Sequence, residues 1–356
     1  MTRWIGAADD ADLADSLAFL APAGTPIPPS NSPVALFAAR EMCAVAERAV
    51  AASDGALVHR EITWGRFDTA DGWPQLFIPD AHNLPMTDVM FLASLHSPDV
   101  VFEQLSALYA LARYGSRSMR VIVPFFPTGT MKRVDRHGEV ATAATLARLL
   151  SVIPHCAGGP VQLVFFDIHA LQEQFYFTDN IIVQLKSCTR LLRDRLAQLD
   201  GDSVVIVFPD DGAYKRFHSK FPAYNTVVCH KIRNGDERIV DIRDGLEFVK
   251  GAHCVIVDDL VKSGGTLIEC AVVLQTAGAL KLSCYVTHGV FPNDSFLKFT
   301  HANAPKVRFE HFWITDSIPT VAAKVKSLPP FQVLSMAPLL TYLRPHFLDD
   351  MPERFE

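Results

Sequence analysis

The apolar positions of this chain fall in short runs, and the runs alternate with segments of helical spacing. VMFLASL (89–95), VIVPFF (121–126), VQLVFF (161–166), SVVIVF (203–208), HCVIVD (253–258) and KLSCYVTHG (281–289) are continuous apolar stretches of strand length. A strand with one wet face alternates apolar with polar residues, whereas an unbroken run implies that both faces are covered. Between these runs, SPDVVFEQLSALYALARYG and VATAATLARLLSVI repeat apolar residues at helical intervals, and VALFAAREMCAVAERAV from residue 34 reads the same way. The pattern predicts an α/β fold whose mainly parallel sheet is flanked by helices on both sides.

Length changes the picture first. With 356 residues, 49% of them hydrophobic, two domains fit better than one. LRDRLAQLDGDS (192–203) is polar and helical, so the boundary is expected between residues 180 and 200. Residues 1–33 read as an N-terminal extension and linker, because APAGTPIPPSNSP (21–33) is rich in Pro and Ser. The division is then 34–186, 187–330, and a C-terminal helix and tail (331–356) expected to pack back on the first domain.

Charge removes some functions. A net charge of −6 argues against broad binding to nucleic acid or to anionic membranes. Apolar runs are too short to span a bilayer. The first twenty residues hold four Asp, which fits neither a secretory nor an organelle-targeting leader, so a cytoplasmic location is expected. Seven Cys occur without a C-x-x-C pair, and several lie inside apolar runs; they read as buried thiols in a reducing compartment.

The chemistry concentrates at strand ends. Three apolar strands deliver acids there: Asp167, Asp210, and Asp258 with Asp259. Ligands of open α/β sheets bind at that edge. The third case is the richest, CVIVDDLVKSGGTLIE (254–269). Asp258 and Asp259 are expected in the loop after the strand, where two adjacent carboxylates repel unless something binds them. A sugar diol or Mg²⁺ suits them. Lys262, Ser263, Gly264, Gly265 and Thr266 then open a helix. Glycines let backbone amides approach a phosphate, and the helix N-terminus favours negative charge. The stretch therefore suits a sugar phosphate, with the sugar on the acids and the phosphate on the loop.

This order of four apolar residues, two acids, a spacer and S-G-G-T resembles the signature for 5-phosphoribosyl 1-diphosphate (PRPP) shared by type I phosphoribosyltransferases and PRPP synthetases. Further segments resemble the ribose-phosphate pyrophosphokinases (PRPP synthetases) specifically, in order along residues 60–345. They are Asp167-Ile168-His169-Ala170, Phe208-Pro209-Asp210-Asp211-Gly212-Ala213, Lys231-Ile232-Arg233, Thr287-His288-Gly289-Val290-Phe291 and Ile314-Thr315-Asp316-Ser317-Ile318-Pro319. Two segments depart. Trp73 stands where the family has the acid of F-x-D-G-E, and residues 128–133 (TGTMKR) lack the family's Arg-Gln pair at the matching positions. DGWP, PFFPTGT and FWITDS resemble instead the class II branch known from plants, described as needing no phosphate activator and accepting several nucleoside triphosphates.

The resemblance implies two tandem type I phosphoribosyltransferase-like domains and a homo-oligomer. It implies transfer of the β,γ-diphosphoryl group of ATP, or of another nucleoside triphosphate, to the C1 hydroxyl of ribose 5-phosphate, with Mg²⁺ as cofactor. His169 and Asp210 become the metal candidates. Lys231 and Arg233 become catalytic with His169, as two cations on one side of an extended segment. Asp210, Asp211, Gly212 and Ala213 become the diphosphate loop. Lys132 and Arg133 become nucleotide-phosphate contacts, while Lys215 and Arg216 read as helix surface or an intersubunit contact. The alternative is a non-catalytic regulatory subunit, suggested by Trp73 and the missing Arg-Gln pair; a phosphoribosyltransferase is a more distant reading.

Overall fold

The computed structural model describes residues 32–68, 71–127, 137–199, 203–234, 237–303 and 307–344. In the first unit, β1 (Val34–Ala38), β2 (Leu57–His59), β5 (Asp88–Leu92), β6 (Ser118–Val123), β7 (Val161–Phe166) and β8 (Ile181–Lys186) form one sheet in the order β2-β1-β5-β6-β7-β8. All its pairings are parallel. β3 (Thr63–Arg66) and β4 (Pro74–Phe77) form a separate antiparallel pair. Helices α1 (Cys43–Ala51), α2 (Pro98–Arg113) and α3 (Thr142–Leu150) belong to this unit, and α4 (Thr189–Leu196) leads out of it.

The second unit contains β9 (Val204–Phe208), β10 (Asn225–Asn234), β11 (Glu237–Asp244), β12 (His253–Val261), β13 (Lys281–Gly289), β14 (His311–Thr315) and β15 (Phe331–Leu334). Their order is β11-β10-β9-β12-β13-β14-β15, parallel except for the β10–β11 pair. Its helices are α5 (Asp211–Phe217), α6 (Gly265–Thr276) and α7 (Pro319–Val325), and α8 (Ala337–Leu340) follows β15. Among the described residues no helix is long and apolar enough to cross a membrane.

One element differs from the sequence expectation. Val34–Ala38, read as the start of a helix, is a strand buried along its whole length. Ala35 and Phe37 face one core while Val34, Leu36 and Ala38 face another, a period of two that a helix cannot produce. Helical periodicity begins only at Cys43. β15 also continues the second sheet beyond the expected boundary at 330, because it pairs with β14 from Phe331 to Leu334. The chain crosses back just after it. Met336, Ala337, Leu339, Leu340 and Leu343 are buried in the core that covers β1 and β5 of the first unit.

Buried polar groups lock these pieces in place. Arg120 is 1% exposed and donates to Leu343 O at 2.8 Å and Arg344 O at 2.9 Å. Asp316 accepts from Met336 N at 2.7 Å and from Arg48 at 2.9 Å. At the start of β5, Asp88 accepts from Arg117 Nε at 2.9 Å and from Ser118 Oγ at 2.6 Å, with both members of the ion pair almost fully buried. Removing one partner strands a buried charge, so Asp88→Ala is expected to cost about 3–5 kcal/mol of stability. Urea unfolding should show the loss, while kcat per folded molecule stays native because the pair lies at the strand end remote from the chemistry.

Candidate functional site

The C-terminal ends of β7 and β13 face each other across the two units. Asp167, just past β7, accepts from Cys188 N at 2.9 Å and from Thr287 Oγ1 at 2.6 Å. His288 bridges Phe166 O at 3.1 Å and Ser317 Oγ at 2.9 Å. A carbonyl only accepts, so His288 Nε2 carries the proton there. Burial pushes this imidazole below its ordinary pKa, which keeps it neutral. The sequence placed Asp167 and Thr287 near the site, but their side chains are spent on joining the units.

Above this latch sit the predicted site residues. The acids Asp258 and Asp259 are not in a loop: β12 runs on to Val261, because β13 pairs with it as far as Val261↔Gly289. Successive side chains of a strand leave in different directions, yet the two carboxyls remain within hydrogen-bond reach of each other. Asp259, 3% exposed, turns to the first unit, where its Oδ2 meets His169 Nδ1 at 2.8 Å and Arg216 Nη1 at 2.9 Å. Arg216 Nη2 also donates to the His169 carbonyl oxygen. Asp258 meets the Asp259 carboxyl itself and, more weakly, the charge of Asp210. Burial, then Asp259, then Asp210 push the Asp258 carboxyl well above the usual carboxylate range. Burial also opposes ionisation of Asp259, but the His169 bond and the Arg216 charge outweigh it and hold its pKa down at about 2. Burial and local charge thus shift the two neighbouring carboxyls in opposite directions.

The loop between β12 and α6 has the features the sequence suggested. Gly264 adopts φ +79° and Gly265 begins α6, so the first-turn amides lack intrahelical partners and are available to an anion. The loop is tied from behind. Lys262 O accepts from Ser295 Oγ at 2.7 Å, Ser263 O accepts from Lys298 Nζ at 3.3 Å, and the Phe299 ring packs under Gly264. A cleft of about 400 Å³ joins His169 to Lys262, with Phe125, Pro127, Val290 and Thr320 in its walls. A second cavity of about 450 Å³ lies behind the loop, but Ile268, Phe299, Val307 and Phe309 make its lining largely apolar.

Asp210, Asp211, Gly212 and Ala213 form the entry to α5 rather than an open loop. Asp210 caps the helix by accepting Ala213 N at 3.0 Å. Asp211 is exposed and pairs with Arg243. Lys231 and Arg233 lie on β10, with backbone partners Val240 and Arg238 on β11. β10 pairs with β9 only from Asn225 to Val228, so this part of the β10–β11 ribbon extends past the sheet. Lys132 and Arg133 lie outside the described residues.

Arg216 is the group that the sequence reading missed. It follows buried Ala213 by three residues and precedes buried Phe217, which places it on the inward side of α5, and that spacing was the available signal. Among the described residues no cluster of three His, Cys, Asp or Glu side chains could cage a metal. Mg²⁺ does not need one, since it keeps waters and substrate phosphate oxygens and takes only one or two protein ligands. His169 fits this demand: donating Nδ1–H to Asp259 leaves its Nε2 lone pair as the ligating atom. The Asp259 carboxylate beside His169 adds negative charge that favours a cation.

Comparison with known proteins agrees with this architecture. A Phosphoribosyl transferase domain model matches residues 180–295. Ribose-phosphate pyrophosphokinase 3, mitochondrial, of Spinacia oleracea is 52% identical over 307 residues, covering 85% of this chain and 74% of that protein. Ribose-phosphate pyrophosphokinase 4 of Oryza sativa subsp. japonica is 50% identical over 291 residues, covering 81% and 88%. The crystal structure of phosphoribosylpyrophosphate synthetase from Mycobacterium smegmatis superposes with a TM-score of 0.70 at 24% identity, covering 88% of this chain and 97% of that one, which shows a shared fold.

Proposed function

The chain belongs to the ribose-phosphate pyrophosphokinase family, and we propose that it makes PRPP and AMP from ATP, or another nucleoside triphosphate, and ribose 5-phosphate. The observation that carries the site assignment is the meeting of His169 with Asp259 beside the Gly264 loop, since it joins one unit's metal candidate to the other's sugar-phosphate cradle.

The C1 hydroxyl oxygen of ribose 5-phosphate forms a bond to the β-phosphorus as the bond from that phosphorus to the α,β-bridging oxygen breaks. AMP leaves with the bridging oxygen, and the hydroxyl proton is lost. The protein's task is to align these atoms and to stabilise charge spread over the transferring oxygens. The amides of Ser263, Gly264, Gly265 and Thr266 hold the 5-phosphate, with Lys262 beside them. Asp258 takes the ribose hydroxyls. His169 Nε2 and Asp210 would hold Mg²⁺, which when bound would supply positive charge to offset that of the substrate phosphates. Lys231 and Arg233 approach the transferring group from the β10–β11 ribbon. A two-stranded ribbon without a third strand is only marginally stable, which suits a cover that closes and reopens.

Assembly of identical chains belongs to the same proposal. Trp73 stacks edge-on against Phe102 at 5.6 Å, and both are exposed together with Phe67 and Phe77. An aromatic surface of this kind on a soluble fold suits a second copy.

The test is direct. Purified chain with ATP, Mg²⁺ and ribose 5-phosphate, without added inorganic phosphate, is expected to release equal amounts of AMP and PRPP. Absence of both products from folded protein would sink the catalytic reading and favour a regulatory subunit.

A further inference from the structure

We propose that Arg216 is a positioning residue of this site, which fixes the His169 ring across the junction between the units by holding both Asp259 and the His169 backbone. The inference rests on the reading of His169 as a functional group, and it adds a residue and a mechanism of support to that reading.

The argument starts from the number of restraints on one residue. His169 stands beyond the end of β7, where the chain has left the sheet, so the ladder no longer holds it. Its ring is about one-third exposed. Two contacts from the second unit replace the ladder. Asp259 takes the ring through Nδ1 at 2.8 Å, and Arg216 takes the carbonyl of the same residue through Nη2. Arg216 then closes the circuit, because its Nη1 meets the same Asp259 oxygen that meets the ring, at 2.9 Å. The rotation of the His169 ring and the position of its backbone are therefore set by one guanidinium.

The choice of residue is informative. Neutralising a buried carboxylate needs only a cation. Gripping a carboxylate and a carbonyl together needs two donors at a fixed separation, which the planar guanidinium has and an ammonium lacks. Arg216 is itself immobilised: its side chain is 16% exposed, and its guanidinium lies 5.6 Å from the Phe217 ring centroid. It also stands on α5, the helix whose entry carries Asp210, so one element sets both metal candidates. A rigid support behind a ligating histidine orients its free nitrogen.

The experiment reads the ring and the rate separately. In the full chain without metal, ¹⁵N–¹H spectra of the histidine rings, assigned by loss of one set in His169→Gln, should show His169 protonated at Nδ1 and bare at Nε2. In Arg216→Gln the two tautomers should mix. In the active enzyme, kcat of Arg216→Gln should fall by about 10–100-fold, with KM for ribose 5-phosphate within about threefold, since the cradle is untouched. Arg216→Lys, which keeps the charge, should fall between the two, and added guanidinium ion should restore part of the rate of Arg216→Ala. Unchanged ring signals in Arg216→Gln, or in Arg216→Lys should the first variant not fold, overturn the proposal. So does a native kcat in a folded variant. If the native chain makes no PRPP, the activity reading fails, and the ring spectra still decide the role of Arg216.

Discussion

Lys231→Ala is expected to turn over about 10²–10³-fold more slowly than the native chain at saturating substrates if, as proposed, Lys231 stabilises charge that develops in the transition state. Binding of ribose 5-phosphate should be unaffected, since the cradle at Lys262–Thr266 belongs to a different strand end. The fold provides the physical basis. β10 is held by β9 only as far as Val228, and beyond it Lys231 and Arg233 lie on a ribbon supported by β11 alone. Groups on such a ribbon contribute little to the stability of the sheet, so unfolding midpoints should match those of the native chain. Rates of AMP release at saturating substrate, set beside calorimetric titration with ribose 5-phosphate, separate the two effects. A near-native rate removes Lys231 from its role. A rate loss matched by equal loss of ribose 5-phosphate affinity reassigns it to binding.

Gly264→Ala is expected to be the most damaging change of a single methyl group. The backbone there has φ +79°, and a Cβ would stand 2.2 Å from Phe299 Cζ and 2.5 Å from Cε2. Phe299 cannot retreat: it is 1% exposed and packs edge-on against Phe312 at 4.8 Å and Phe291 at 5.9 Å. A left-handed non-glycine residue costs about 1–2 kcal/mol, and overpacking adds about 1–3 kcal/mol. If the loop yields, the amides leave their positions and KM for ribose 5-phosphate rises by about 10²-fold or more, as tenfold corresponds to 1.4 kcal/mol. If the loop holds, the same cost appears as lost stability. Thermal unfolding with and without ribose 5-phosphate distinguishes these outcomes, and a variant native in both respects would show that this contact is not what shapes the cradle. Gly265→Ala is the control for stability alone, since its Cβ would meet no protein atom within 4 Å.

The contrast between Asp259 and the Gly264 loop shows how far the sequence could be read. The loop was legible because its chemistry is local: glycines, hydroxyls and a helix start are consecutive residues, and their combination permits few structures. Asp259 is equally conspicuous in the sequence, yet its neighbours His169 and Arg216 are 90 and 43 positions away. Local pattern grouped it with Asp258 as a pair on one sugar. In the fold it also meets a partner in the other unit, while its carboxyl stays beside that of Asp258. Val34–Ala38 makes the same point about the fold. Five apolar residues before a helical repeat extend that repeat by eye, and only the two cores on either side of β1 show the period of two.

The sequence by itself determined the alternation of buried strands and helices, the division into two units, the glycine turn that opens α6 and, through resemblance, the family. These are properties of short segments, in which side-chain periodicity and backbone preference act within a few residues. Only the tertiary structure decided that Asp259 meets His169 and Arg216, that Arg216 is largely buried rather than helix surface, and that Asp167, Thr287 and His288 join the units. Those outcomes depend on the meeting of the C-terminal ends of two sheets. Burial there prevents water from satisfying the polar groups, so each must find its partner across the junction.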